Sequence, residues 1–202
     1  MRAVLLPIVP LIICASGWGA DDEPKADPQP LGLTKFDRKI IDAHEQGFPM
    51  SCIPSSVEML LKLLGRVPNS YRDLQRAWKN KSDGCWRDFR GTTFEGVSFS
   101  YRDDYSMDQL FEAIDRELLA GRFVVVGLRN SGGWHSWVIY DKDTSGEFLA
   151  VSKDRSRTIE ERHVKQAIMR SQGSDLGTYE FPTSPMRLPS APPRWTAPGF
   201  RP

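Results

Sequence analysis

Three apolar, β-branched runs follow one another closely: Phe123-Val124-Val125-Val126-Gly127-Leu128, then Trp134 to Tyr140, then Glu147 to Ser152. Asn130-Ser131-Gly132-Gly133 separates the first two and Asp143-Thr144-Ser145-Gly146 the last two, both rich in turn-forming residues. Two consecutive hairpins predict an antiparallel β-meander.

Upstream the periodicity changes from strand to helix. Met107, Leu110, Phe111, Ile114 and Leu118 mark one apolar helical face, Ser106 and Gln109 form a capping-box pattern, and Gly121 ends the helix. Further back, Val57, Leu60, Leu61 and Leu64 recur at helical spacing before Gly65. Ser51 or Cys52 stands at the cap of this helix and Pro54 in its first turn, where a missing N–H costs nothing. A shorter helix is expected from Tyr71 to Lys79, capped by Asn69 or Ser70, and residues 82–101 read as loop with at most short strands. Helices followed by an antiparallel sheet place the fold in the α+β class.

The ends of the chain have a different composition. Residues 1–20 combine Met1-Arg2, an apolar run from Ala3 to Ile13 and small residues up to Ala20, the layout of a secretory signal peptide. Cys14 follows a bulky Ile13, a poor match to a lipoprotein box, and the run is too short to serve as a permanent membrane span. Residues 21–33 read as a disordered linker, and the prolines beyond 181 make 182–202 a Pro-rich tail that sustains neither helix nor central strand. The folded unit is expected over 34–181, in an exported protein. A formal net charge of +1 without basic blocks argues against nucleic acid as a partner.

Cys52 at a helix start is placed for chemistry, because the unpaired N–H groups and the helix dipole favour the thiolate. Once the leader is removed Cys85 is the other cysteine, so a Cys52–Cys85 disulfide is the structural alternative. A thiolate needs a general base. Of the three histidines, His44 reads as exposed and His163 as part of a solvated helix. His135 opens a strand between Trp134 and Trp137. Asp154 ends the next strand, where antiparallel pairing sets it beside His135 to orient the ring. Asp141 and Asp143 lie at the opposite end of the His135 strand and read as turn residues. Gln46, six residues before Cys52, can offer its side-chain NH₂ to an oxyanion.

Gln46-x5-Cys52-Ile53-Pro54-Ser55 and its helix up to Leu64-Gly65 resemble the active-site segment of the C39-like peptidases of the papain-like clan. The strand Phe123–Leu128, the His135–Asp141 strand and Val151-Ser152-Lys153-Asp154 are similar to that family's later motifs, in the same order. The resemblance covers about residues 35–157. It implies a papain-like fold, with the nucleophile at the start of the first helix, and a Cys52-His135-Asp154 triad with Gln46 in the oxyanion hole. It also implies a peptide or protein substrate, with no metal and no cofactor. Ile53 replaces the family's glycine beside the nucleophile, Ile139 stands where glycine is frequent, and Arg155 replaces the proline after the aspartate. The same residues also suit a transglutaminase-like acyl transferase. A catalytically inactive binding module on a peptidase scaffold is the non-enzymatic reading.

Overall fold

The computed structural model describes residues 27–77, 89–130, 133–173 and 175–181. The expected leader and Pro-rich tail lie outside these residues, as do Cys14, Trp78, Cys85 and Trp86.

Helices α1 (Arg38–Ala43), α2 (Cys52–Leu63) and α3 (Asp73–Ala77) come first, then strands β1 (Thr93–Phe94) and β2 (Val97–Arg102). Helix α4 (Met107–Leu119) leads into β3 (Val124–Asn130), β4 (Gly133–Lys142), β5 (Phe148–Asp154) and β6 (Arg157–Glu161). Helix α5 (Val164–Ser171) and β7 (Leu176–Glu180) close the described part. The strands form one antiparallel sheet in the order β1-β2-β7-β3-β4-β5-β6. The class is therefore α+β, and the expected meander is its β3–β4–β5 portion.

Three elements depart from the reading of the sequence. Cys52 opens the second helix, since the short α1 precedes it. Glu160-Glu161 ends strand β6, and His163 is the N-cap of α5 rather than part of a helix. A half-exposed edge strand carries too few apolar residues for its alternation to show. β7 is inserted between β2 and β3, a pairing between segments far apart in sequence that no local pattern encodes. Gly127 admits the segment leading into β7: its N–H donates to Asp175 Oδ2 at 3.1 Å, and a Cβ there would lie 3.0 Å from the same oxygen.

Helices cover both faces of the sheet. Ile41, Val57, Leu60, Leu61 and Leu74 of α1–α3 pack with Val125, Val138 and Val151. Leu110, Ile114 and Leu118 of α4 and Val164 and Ile168 of α5 pack with strand residues such as Val126, Trp137 and Ala150. Burial on both sides explains why β3 is a continuous apolar run. Phe89, Phe94 and Phe99, in the stretch read as loop, belong to the first of these cores.

The capping box of α4 is formed: Ser106 Oγ accepts from Gln109 N at 3.4 Å, and Ser106 N donates to Gln109 Oε1 at 3.2 Å. Gly121, at φ 74°, ends the helix in the left-handed conformation. Ser106→Ala is expected to cost about 1 kcal/mol, seen as a lower urea midpoint with an unchanged denaturant slope.

Candidate active site

The α1–α2 connection, residues 44–51, carries Gln46 and delivers Cys52 to the first position of α2. Ser51 is the N-cap but makes no side-chain capping bond. Its hydroxyl instead donates to Phe48 O at 2.6 Å and lies 3.2 Å from Gln75 Oε1. Met50, at φ 60°, turns the chain into the helix. Cys52 is a free, half-buried thiol. Burial raises its pKa, while the backbone N–H groups of Ser136, Ile53 and Cys52 itself pull it back down. The thiol thus meets β4 one residue beyond His135. Ile53 packs against the α2-side core.

His135 lies on β4 opposite Leu128 of β3. Continuing the Val138↔Val151 register sets it beside Asp154 at the end of β5. The ring is held from β5. Ser152 Oγ donates its single proton to Ser136 O at 2.6 Å, so at 2.8 Å from His135 Nε2 it can only accept. That assigns the proton of the neutral imidazole to Nε2 and leaves Nδ1 as the basic nitrogen. Burial lowers the His135 pKa, opposed by a hydrogen bond with the Lys153 backbone and by the charge of Asp154. Burial thus pushes both groups toward their uncharged forms, thiol and neutral imidazole.

Strand alternation separates the ring from the thiol. Val138 and Tyr140 face the α2 side, while Trp137 and Ile139 face α4 and α5. His135 falls in step with Trp137, its ring 6.0 Å from the indole centroid at 86°. Among the described residues, no hydrogen bond joins the Cys52 thiol to this ring. The Asp154 carboxylate does not reach it either, bonding instead to Arg157 Nη2 at 3.2 Å. Trp137 is buried, but Trp134, on the other side of His135, is 56% exposed.

Gln46 and Asp154 do converge. Gln46 N donates to Arg155 O at 2.9 Å, drawing the loop against the β5–β6 turn. Glu45, Gln46, Phe48 and Pro49 on one wall and Asp154 and Arg155 on the other line a cleft of about 650 Å³. Neither Cys52 nor His135 is among its lining residues.

Comparisons with protein-family models, with curated proteins and with solved structures returned no match. The chemistry therefore rests on the residues themselves.

His44 corrects the sequence reading: it is fully buried, not exposed. Lys62 Nζ donates to its Nδ1 at 2.9 Å, so its Nε2–H points to Ser55 Oγ, also at 2.9 Å. Burial, with the charge of Lys62 second, pushes its pKa down to about 2, and the desolvated Lys62 falls to about 8. With both ring nitrogens occupied, His44 serves as a strut. Lys153, also buried, donates to Ile41 O at 3.1 Å and to Thr158 Oγ1 at 3.0 Å, tying α1 to the sheet. Asp141 accepts from Gly32 N and Leu33 N at 2.8 and 3.0 Å, fastening the segment before α1, and Asp143 closes the β4–β5 turn through Ser145 and Glu147. Ser55, Glu58 and Lys62 of α2 are buried as well, although nothing in their residue types marks them as interior.

The low pKa of His44 fixes a sign. Between about pH 6.5 and 2 the unfolded chain binds a proton there that the folded chain does not, so stability rises with pH across that window. In wild type this site contributes a slope of about 1.4 kcal/mol per pH unit below pH 6. His44→Gln is expected to lose that contribution, measured by urea unfolding at pH 4.5 to 7.

Proposed function

We propose that the chain is a thiol hydrolase of peptide bonds on a papain-like, C39-like scaffold, acting outside the cytoplasm. The observation that carries this reading is the position of Cys52. A free thiol opens a helix, against the backbone of β4, at the end of the loop bearing Gln46. Cys52 attacks the peptide carbonyl after its proton passes to His135 Nδ1. The developing oxyanion takes hydrogen bonds from the Cys52 N–H and the Gln46 side chain. His135 returns the proton to the leaving amine, and water then releases the acyl group as a carboxylic acid. Asp154 assists through its charge, which favours the imidazolium. Proton transfer requires the His135 ring to leave its Ser152-bonded position beside Trp137 and reach the thiol, from which strand alternation separates it.

A second reading is favoured by that same ring position. With His135 facing Trp137 and the thiol kept protonated by burial, the scaffold is a peptide-binding module that uses the Gln46–Asp154 cleft without hydrolysis.

One set of experiments separates the two. The hydrolase reading expects cleavage of a mixed peptide library by the wild type, falling by about 10³-fold or more in Cys52→Ala and in His135→Ala. Cleavage that survives Cys52→Ala, or no cleavage at all, rejects it. Alkylation of Cys52 by iodoacetamide in the resting protein is expected to accelerate with pH through a midpoint above the ordinary thiol value of about 8.5.

A further inference from the structure

We infer that Gln75 is a positioning residue, holding the oxyanion donor Gln46 and the nucleophile Cys52 in fixed relation through one buried amide. The inference rests on the hydrolase reading. Gln75 lies on α3 and is fully buried. Its Nε2 donates to Glu45 O at 2.9 Å, and its Oε1 accepts from Gly47 N at 2.8 Å. The residues on either side of Gln46 are thus bound to opposite ends of the same rigid plane. The same Oε1 lies 3.2 Å from Ser51 Oγ, the residue before Cys52. One side chain therefore grips the residues flanking Gln46 at two points and, through Glu58, is bonded to α2, the helix that Cys52 opens; the geometry of an oxyanion hole depends on that spacing.

The backbone fixes which way the amide is turned, since Glu45 O can only accept and the Gly47 N–H can only donate, and Glu58 adds to the grip. Its carboxylate, buried on α2, accepts from Gln75 N at 3.0 Å and from Gln75 Nε2 at 2.6 Å. The NH₂ therefore faces Glu45 O and the Glu58 carboxyl, which leaves Oε1 to accept from the Gly47 N–H. A flipped amide would set oxygen against carboxylate and NH₂ against the Gly47 N–H. Glutamine suits the position because it carries a donor and an acceptor at fixed separation.

The test uses the mature protein and reads kcat and KM for a cleaved peptide across pH, beside the thermal midpoint. Gln75→Glu keeps shape and length. Its carboxyl can donate to Glu58 only while protonated, so the clamp re-forms in acid and breaks when both carboxyls ionise. The expected result is a loss of about 10- to 100-fold in kcat at neutral pH, with KM within about threefold. Relative to wild type, the activity should recover as pH falls. Ser106→Ala, remote from the site, controls for destabilisation alone and should leave kcat and its pH profile unchanged. Where Gln75→Glu does not fold, Glu58→Gln serves: it replaces one of the two oxygens that accept from Gln75 N and Nε2 with an NH₂, and should lower kcat more than KM. A variant with a lower midpoint but wild-type kcat and pH profile reduces Gln75 to a structural residue and overturns the inference. Wild-type protein without Cys52-dependent cleavage overturns the hydrolase reading itself, and this inference with it.

Discussion

Helix α2 is buried on almost every side, and its two faces meet different demands. Val57, Leu60 and Leu61 pack in the core shared with Val125, Val138 and Val151, which fixes the helix on the sheet. Ser55, Glu58 and Lys62 are equally buried but polar, and each takes a hydrogen-bonding partner from the segments around the helix. Unpaired, each would cost on the order of 1–3 kcal/mol or more. Their satisfaction by His44 and Gln75 therefore dictates the course of residues 44–51 and of α3. Gln46 and Cys52 occupy their positions because this seam is closed.

The seam also sets the electrostatics. Burial neutralises His44, lowers Lys62 and raises Glu58 and the Cys52 thiol, so each buried group is driven toward its uncharged form. Backbone N–H groups offset part of that effect at the thiol and at Glu58.

Much of the fold was legible from local pattern. The β3–β4–β5 meander, the capping box of α4 and the start of α2 at Ser51-Cys52 all follow from spacing and turn chemistry, which act over a few residues. β7 and β6 were not legible. β7 gains its place from pairing across the sheet, and edge strand β6 is too polar to show its period. At the site, the approach of Gln46 to the β5–β6 turn had no signal in the sequence, because it joins segments more than a hundred residues apart. Gln75 and Glu58 gave no signal, because a buried amide and a buried carboxylate have the same sequence appearance as exposed ones.

The sequence by itself determined helices α2 and α4 and the β3–β4–β5 meander, and the order in which Gln46, Cys52, His135 and Asp154 arrive, since these depend on periodicity and turn residues. Tertiary structure decided what surrounds them. Packing of α2 on one face of β4 and of α4 and α5 on the other turned His135 toward Ser152 and Trp137, left Asp154 to Arg157 and buried His44. Side chains leave a strand alternately to its two faces, and only the docking of the helices assigns a neighbour to each face.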